Sequence, residues 1–193
     1  MPTLTNMLTN PGFASNLNGW NGLQDSWSAG RLALLATARY QNSNQPLNLT
    51  SGHKYYHRST LEATSASNAA YSGLNGYFGT YCWLQAANTP TMVSNITAAT
   101  ATATVGFIAI GENRASGFNT MYADNCMVVD LTAAYGAGSE PDKATCDAWP
   151  FFADTVVDAA DSLLAKITES ASVETGFTLT AVQDGTHIDL SWA

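Results

Sequence analysis

Short runs of β-prone residues alternate with clusters of turn-forming residues along the first 131 positions of the chain. The clearest runs are "RLALLATARY", "GHKYYHRSTLEA", "GYFGTYCWLQAA", "TATVGFIAIGE" and "NTMYADNCMVVDL". Asn, Gly, Ser and Thr separate them at fairly even spacing, and the 3.6-residue period of an amphipathic helix is absent from them. This pattern predicts an all-β domain, either a sandwich or a barrel.

The run at residues 76–84, "GYFGTYCWL", is dense in aromatic rings. The two-residue period of a strand places Tyr77, Tyr81 and Trp83 on one face, with Gly79 between the two tyrosines. Two interpretations stay open. The rings fill the core, or they form an exposed platform on which the apolar faces of sugar rings stack, with Gly79 leaving room for close approach. In the second case Tyr77, Tyr81 and Trp83 are the candidate glycan-binding residues.

The hydrophobic period becomes helical after Asp154. Apolar residues then recur with the spacing of a short coiled-coil seam, at Val157, Ala160, Leu164, Ile167 and Ala171. The seam covers about two heptads, fewer than the three or four that identify a coiled coil. The helix either packs on the β domain or joins a symmetric bundle of subunits. In the bundle, the candidate oligomerisation residues are Val157, Ala160, Leu164 and Ile167.

The last segment of the chain, "TGFTLTAVQDGTHIDLSWA", is typical of a β-hairpin. Two alternating runs flank Asp184-Gly185, which is a two-residue turn signal. A lone hairpin is marginal in water, so it needs a partner. The sequence thus predicts two parts, a β domain at residues 1–152 and a helix plus hairpin at 153–193 that serves as an oligomerisation or attachment tail.

Charge is unevenly distributed. Residues 1–123 hold five basic and three acidic side chains (net +2), and residues 124–193 hold two basic and twelve acidic ones (net −10), which gives the total of −8. Phosphate contacts need clustered Lys and Arg, so nucleic acid is excluded as a partner. The acidic end is either a solvated face or a docking surface for a basic partner.

Cysteine usage and the first residues of the chain indicate whether the protein is secreted or stays in a reducing compartment. Cys82, Cys126 and Cys146 are an odd number without a Cys-x-x-Cys pair, which argues against a disulfide framework and against a zinc cage. Residues 1–13 lack the basic start and apolar stretch of a signal peptide. No apolar run approaches the length of a membrane span, so no membrane partner is expected.

The sequence contains few residues of the types and spacings that catalysis requires. None of the three histidines belongs to a recognised catalytic motif, and the first 123 residues offer only Asp25, Glu62 and Glu112 as carboxylates. A glycosidase needs two carboxylates facing one cleft. The chain is therefore not expected to be an enzyme.

A strand, a glycine turn and a helix follow one another in "VVDLTAAYGAGSEPDKATC", residues 128–146. This order is that of a phosphate-binding loop, but the Lys-Ser/Thr pair is missing and Glu140 and Asp142 would repel phosphate. A structural turn fits better. Gly136 and Gly138 permit positive φ, Ser139 caps the following helix, and Pro141 lies in its first turn. 

Two segments at the ends of the β region resemble galactose-binding-like β-jelly-roll carbohydrate-binding modules. Those modules open with Asn-x-Gly-Phe and Gly-Trp, and their last strand carries an aromatic followed by Asp-Asp or Asp-Asn. The matching residues here are Asn10, Gly12, Phe13, Gly19, Trp20, Tyr122, Asp124 and Asn125. The resemblance implies an antiparallel β-sandwich (jelly roll) with a C-terminal helix and β-hairpin extension. Trp20, Phe13, Met127, Val129 and Leu131 are then expected in its core.

"GHKYY", "DLTAAYGAGSEP" and "CDAWPFF" resemble the form of this module that occurs in phage tail and other virion proteins, over roughly residues 4–152. The glycine turn is then implied to be the exit of the jelly roll. Many such modules hold a structural calcium near the last strand. Here Ala14 replaces an acidic residue and Asn125 a second aspartate, so Asp124 with backbone oxygens is the candidate ligand. No other cofactor is expected.

Two functions follow from the resemblance. In the first, the chain is a phage virion structural protein, a capsid decoration, head-fibre or tail-fibre-like subunit that is assembled in the host cytoplasm. It would form a homotrimer, contact other virion proteins through residues 154–193, and display the jelly roll outward, where it could adsorb to host glycans. In the alternative, it is chiefly a non-catalytic glycan-binding module for cell-surface polysaccharide.

Overall fold

The structure is a computed structural model that describes residues 2–64, 70–75, 81–114, 116–118, 120–157, 179–184 and 187–192. The chain divides into two compact units, residues 4–156 and residues 1–3 with 157–193. Within the described ranges no helix is long and apolar enough to cross a membrane.

The elements of the chain are mostly short strands. In chain order they are β1 (Thr3–Thr5), β2 (Asn21–Gly22), β3 (Asp25–Ser28), β4 (Arg31–Leu35), β5 (Asn42–Leu49), β6 (Lys54–Ala63), β7 (Ala70–Leu74), β8 (Cys82–Trp83), β9 (Thr91–Ala98), β10 (Ala103–Glu112), β11 (Thr120–Asp130), α1 (Leu131–Tyr135), α2 (Lys143–Asp147), β12 (Thr155–Val157), β13 (Leu179–Asp184) and β14 (His187–Trp192).

Two five-stranded sheets make up the larger unit. The first sheet has the order β2-β5-β10-β7-β8, and the second has the order β3-β4-β11-β6-β9. The strand pairs within both sheets are antiparallel. The predicted antiparallel β-sandwich is therefore confirmed for this part of the chain.

The N-terminal motif forms part of the core between the two sheets. Phe13 and Trp20 are buried, with their ring centroids 5.1 Å apart, and the Trp20 ring also meets Phe107 of β10 at 6.3 Å. Trp20 Nε1 donates to the backbone oxygen of Asn10 at 3.1 Å, which satisfies its one polar atom. Both residues are in the core as predicted.

A β-bulge in β11 divides its side chains between two clusters. Met121 and Ala123 face the core between the sheets, and after the register shift at Asp124–Met127 the inward residues are Cys126 and Val128. An extra residue in a bulge reverses the alternation beyond it. The prediction that Met127, Val129 and Leu131 lie in the core between the sheets is wrong, although all three are buried. They belong to a second cluster on the other side of the sheet, with Leu4, Tyr56, Cys146 and Phe152.

Two aspartates cap the short helices that follow β11. The Asp130 side chain accepts from Ala133 N at the start of α1, and α1 ends at Gly136 with φ +85°. Asp142 caps α2 by accepting from Thr145 N at 2.8 Å. The prediction that Ser139 caps this helix and that Pro141 lies in its first turn is wrong, because the helix begins only at Lys143.

Glu140 ties the glycine turn to the second sheet. Its carboxylate accepts from Thr132 Oγ1 at 2.8 Å, from the Gly138 amide at 2.9 Å and from Lys54 Nζ at 3.2 Å. The hydrogen bond from Thr132 is the main reason that its pKa falls to about 2. A carboxylate already occupies the Gly138 amide that a phosphate loop would offer, so the turn is structural.

The C-terminal unit contains the predicted hairpin, in which β13 pairs with β14 in a register that places Asp184 opposite His187. Val157 does not begin a helix, because it is the last residue of β12, which pairs with β1. The remaining seam residues, Ala160, Leu164 and Ile167, lie outside the described residues. The oligomerisation role of the seam therefore stays a prediction.

Candidate functional site

The outward face of the first sheet is identified from the neighbouring residues that point into the core between the sheets. On β7, Ala70 and Leu74 belong to the core between the sheets, so Tyr71 points outward. Beside it, Leu84 enters the core, which turns Tyr81 and Trp83 outward at β8. 

Three rings meet on this outward face. Tyr71 lies directly opposite Trp83 in the β7–β8 register, with centroids 5.2 Å apart, and its ring is 5.0 Å from that of Tyr81. The ring centroids of Tyr81 and Trp83 are 6.4 Å apart. Both side chains are half-buried, whereas Tyr71 is only 6% exposed. The structure thus brings together two of the predicted residues. Tyr77 and Gly79 lie outside the described ranges.

Gly111 of β10 makes room for the central ring. It is the register partner of Tyr71, and a Cβ atom at position 111 would come within 2.4 Å of Tyr71 Cζ. The phenol ring therefore lies across the bare backbone of β10. Burial, with smaller contributions from Tyr81, Tyr40 and Glu112, raises the pKa of Tyr71 to about 12, so the phenol stays protonated and can donate a hydrogen bond.

Amide side chains extend the same face beyond Gly111. Asn42 is the register partner of Gly111, and Asn44 follows two residues later on the same side of β5. Asn44 Nδ2 donates to Asn42 Oδ1 at 2.8 Å, and Asn42 Nδ2 donates to the backbone oxygen of Tyr40 at 3.0 Å. These amides keep further donor and acceptor positions for sugar hydroxyls.

A pocket of about 600 Å³ lies at the β2 edge of the first sheet. We call it the Tyr40 pocket. Residues that define its shape are Trp20, Asn21, Leu23, Tyr40, Asn42 and Asn44, and Asp25 and Arg39 also line it. Trp20 is buried beneath it, whereas Leu23 and Tyr40 are 74% and 59% exposed. The pocket therefore combines apolar walls with amide groups, as small-ligand sites commonly do.

Hydrogen bonds hold the turn that carries Tyr40. Tyr40 N donates to the Glu112 oxygen at 2.7 Å, and Glu112 N donates to the Gln41 oxygen at 2.9 Å. Gln41 Oε1 accepts from the backbone amides of Thr37 and Ala38 at 2.6 and 3.0 Å. Tyr40 itself has φ +67°, a conformation that costs energy for a non-glycine residue and is frequent at ligand clamps.

Sequence reasoning missed Tyr71, Gly111 and Tyr40. Tyr71 lies in the unremarkable stretch "AAYSGLN", and its partners become visible only through the registers of β7 with β8 and with β10. The one available signal was the glycine in "AIGE", since a glycine inside a strand can mark a close approach. 

The surroundings of Asp124 suit a structural carboxylate. Asp124 Oδ1 accepts from the Asn125 amide at 2.7 Å at the β11 bulge, and burial raises its pKa while the Asn125 amide and the Arg31 guanidinium act in the opposite sense. Among the described residues no group of three or more His, Cys, Asp or Glu is arranged to hold a metal ion. Calcium prefers six to eight oxygen ligands, so this donor set fits it poorly and calcium at Asp124 stays a prediction.

The three carboxylates of the first 123 residues lie on three different strands. Asp25 accepts from the Ser43 hydroxyl at 2.8 Å. Glu62 forms an ion pair with Arg31, and Glu112 pairs with Arg114. Asp25 and Glu112 are on opposite sheets, and Glu62 points outward from the second sheet. Each of the three carboxylates is thus engaged by a hydrogen bond or an ion pair with another residue.

Comparison with known proteins finds similarity in structure. No protein-family model matches the chain, and no curated protein matches it. A structure described as "CBM4 structure and function" superposes with a TM-score of 0.51 at 12% identity, over 64% of this chain and 99% of that one. The second N-terminal cellulose-binding domain of Cellulomonas fimi β-1,4-glucanase C gives a TM-score of 0.47 at 13% identity, over 66% of this chain and 95% of that one. A family 16 carbohydrate-binding module superposes with a TM-score of 0.46 at 17% identity, over 65% of this chain and 100% of that one.

At these identities the similarity establishes the fold alone. The superposition on the CBM4 module supports the jelly-roll form of the sandwich. Since one fold hosts many functions, function has to be argued from the outward face and its residues.

Proposed function

We propose that the chain is a non-catalytic carbohydrate-binding module that holds a glycan on the outward face of its first sheet. The observation that carries this proposal is the meeting of Tyr71, Tyr81 and Trp83 on that face, with two rings half-exposed. The asparagines Asn42 and Asn44 lie on the same face, two strands away from Tyr71.

Sugar chemistry matches this arrangement. One face of a pyranose ring carries C–H groups that pack on an aromatic ring, while its hydroxyls need hydrogen-bond partners. The ring cluster supplies the first kind of contact, and the amides with the Tyr71 phenol supply the second. The similarity to a carbohydrate-binding module adds support from the fold. 

Binding to a panel of soluble β-glucan, xylan and β-1,4-galactan tests the proposal, by affinity gel electrophoresis and by calorimetry. We expect at least one of these polysaccharides to be bound. Trp83→Ala should weaken that binding about tenfold, because it removes a stacking ring. Met92→Ala is the matched control, since Met92 is 42% exposed on the second sheet. Equal binding by wild type and Trp83→Ala would contradict the proposed face.

The virion function stays a prediction beside this proposal. It holds that the module is displayed on a phage particle as a homotrimer attached through residues 154–193, and that host surface polysaccharide is its ligand. Light scattering on the full chain measures the oligomeric state, and a monomer would contradict the trimer.

A further inference from the structure

Arg39 is exposed and lines the Tyr40 pocket, where neighbouring groups hold its guanidinium in place. The guanidinium carbon lies over the Tyr40 ring, 4.6 Å from its centroid. Asn113 binds the same group from the side, because Arg39 Nε donates to its backbone oxygen at 2.6 Å and Nη2 donates to its side-chain oxygen at 3.1 Å. The guanidinium is thus positioned without a ligand, which lowers the entropy cost of binding one.

Part of the hydrogen-bonding capacity of this guanidinium is left over. Asn113 uses the N–H of Nε and one N–H of Nη2. Both N–H groups of Nη1 and the second N–H of Nη2 remain. Adjacent N–H groups on the two terminal nitrogens match the two oxygens of a carboxylate, and such charge-assisted pairs are stronger than a bond to a neutral hydroxyl. The remaining edge of Arg39 therefore favours a carboxylate ligand.

The charge of Arg39 is not neutralised by the protein, in contrast to most of the basic side chains that the structure describes. Those that pair with an acidic residue are Arg31, Lys54, Arg114 and Lys143. Arg58 is buried and donates to the backbone oxygen of Trp149. Among the described residues, Arg39 is thus the exposed Lys or Arg without an acidic partner, so its charge is available to an anionic ligand.

Asp25 is the acidic member of the pocket lining, and it would repel an anion. It belongs to β3 of the second sheet, and its Oδ2 accepts from the hydroxyl of the fully buried Ser43 at 2.8 Å. A Cβ atom at position 22 would come within 2.6 Å of the same oxygen, so β2 packs closely against it. Asp25 is held by these contacts and does not pair with Arg39. A bound carboxylate is therefore directed to the Arg39 side of the pocket.

The pocket adjoins the ring cluster through one row of residues. Trp83, Tyr71, Gly111 and Asn42 are successive register partners across β8, β7, β10 and β5, and Asn42 also lines the pocket. Strands in a sheet lie about 4.8 Å apart, so Trp83 and Asn42 are separated by roughly 14 Å. A glycan that stacks on the ring cluster and follows this row brings a later sugar unit to the pocket.

We propose that the Tyr40 pocket binds the carboxylate of a uronic acid, an acidic sugar unit of a glycan whose other units lie on the outward face, and that Arg39 recognises it. The inference rests on the proposed glycan-binding function. Arg39 Nη1 and Nη2 donate to the two carboxylate oxygens. The amides of Asn21, Asn42 and Asn44 meet the hydroxyls of the same sugar unit. Because the pocket is an open depression, the acidic unit fits either within the main chain or as a branch.

Matched pairs of polysaccharides test this preference. Glucuronoxylan and polygalacturonate are each compared with their carboxyl-reduced form, in which carbodiimide and borohydride convert the uronic acids to neutral sugars and leave the linkages unchanged. By calorimetry at pH 7 and low salt, we expect the wild type to bind at least one native polysaccharide about tenfold more tightly than its reduced form. The difference should shrink as salt is raised, since Arg39 is exposed. The net charge of −8 opposes an anionic ligand, so the preference has to come from a local site.

Two charge-removing variants connect the preference to the pocket, and thermal unfolding checks that both fold. Arg39→Gln should bind the native and reduced forms with equal affinity, and it should keep the wild-type affinity for the reduced form. Lys143→Gln is the matched control, because it removes one positive charge from an exposed residue of α2, and it should keep the preference.

The outcomes separate this inference from the proposed function. A preference that is absent in the wild type, or that survives in Arg39→Gln, overturns recognition of a uronic acid by Arg39. Binding of neutral polysaccharides that depends on Trp83 would leave the proposed function standing in that case. Absence of binding to every polysaccharide, acidic or neutral, overturns both.

Discussion

At the residue scale, the central ring of the proposed site depends on a missing side chain. Tyr71 lies across Gly111, and any Cβ there would overlap the ring at 2.4 Å from Cζ. Gly106, on the same strand, faces Asn44 at an ordinary 3.5 Å. The two glycines therefore differ in what an added methyl group would do.

Gly111→Ala should destabilise the protein by about 1–3 kcal/mol, because the Tyr71 ring must leave its place. It should also weaken glycan binding. Urea unfolding and near-ultraviolet circular dichroism measure the first effect. Gly106→Ala is the control and should change stability little. If Gly111→Ala matched that control, the packing of Tyr71 on Gly111 would not matter for the fold.

We expect His57 to make the sandwich sensitive to acid. It is fully buried, its Nε2 is 3.3 Å from Thr97 Oγ1, and its Nδ1 has no hydrogen-bond partner among the described residues. Burial lowers its pKa to about 4. The unfolded chain binds a proton near pH 6.5 and the folded chain only near pH 4, so stability falls as pH falls through that window.

The expected loss between pH 6.5 and pH 4 is roughly 3 kcal/mol in the free energy of unfolding. His57→Gln keeps a polar partner for Thr97 and cannot titrate, so it should remove this slope. Urea unfolding at pH 7, 6 and 5 measures it. Glu140, whose pKa is lowered to about 2, adds acid sensitivity only below about pH 4.5. A variant with the wild-type slope above pH 5 would contradict the assignment to His57.

At the element scale, the segment after β11 shows how a helix start is decided. Ser139 and Asp142 are both good N-cap residues. Ser139 instead stands in the turn, where its amide donates to the Gly136 oxygen at 3.1 Å, and Asp142 caps α2. Glu140 accepts hydrogen bonds from Thr132 and Gly138 and so holds the intervening loop. The helix therefore begins only after this loop, at Lys143.

Asp142→Ala should cost about 1 kcal/mol in the free energy of unfolding, the usual value for loss of an N-cap. Ser139→Ala should cost less than about 0.5 kcal/mol, as for an ordinary surface change. Urea unfolding of the two variants under the same conditions compares them. The reverse order of destabilisation would restore Ser139 as the cap.

At the scale of the whole molecule, the end of the sandwich is set by contacts between the N-terminal segment and residues 154 and 155. Asn6 N donates to the Asp154 oxygen at 3.1 Å, and the hydroxyls of Thr5 and Thr155 are 3.0 Å apart. Residues 154–156 therefore complete the larger unit. A deletion that begins at residue 154 would remove a strand from it.

A chain that ends at Val157 should fold and keep the glycan affinity of the full chain, because residues 4–156 form a compact unit. Thermal unfolding and the same calorimetric titration measure both properties. If the tail assembles subunits, light scattering should find the shortened chain monomeric and the full chain oligomeric. A shortened chain that fails to fold would show that the sandwich requires residues 158–193.

Local pattern predicted part of the elements. Alternation and turn residues predicted the β class of the first 131 residues, and Asp184-Gly185 predicted the hairpin of β13 and β14, because both signals act between neighbours in sequence. The helix starts at Ser139 and at Val157 were wrong, since α2 begins at Lys143 and Val157 lies in β12. The buried positions of Phe13 and Trp20 followed from the motif that carries them. Tyr81 and Trp83 share a face as the two-residue period required.

What the sequence alone determined is therefore the all-β class, the C-terminal hairpin and the common face of Tyr81 and Trp83, since each depends on residues close in the chain. Only the tertiary structure decided which rings meet. Tyr71 meets Trp83 through the pairing of β7 with β8, and it meets Gly111 through the pairing of β7 with β10. The register between strands that are distant in sequence is set by the packing of the whole core. It also decided the side on which Met127 and Val129 are buried, because one bulge at Asp124–Met127 reverses the alternation beyond it. The Tyr40 pocket depends on the same long-range contacts, since its turn is held by Glu112 and its floor is Trp20.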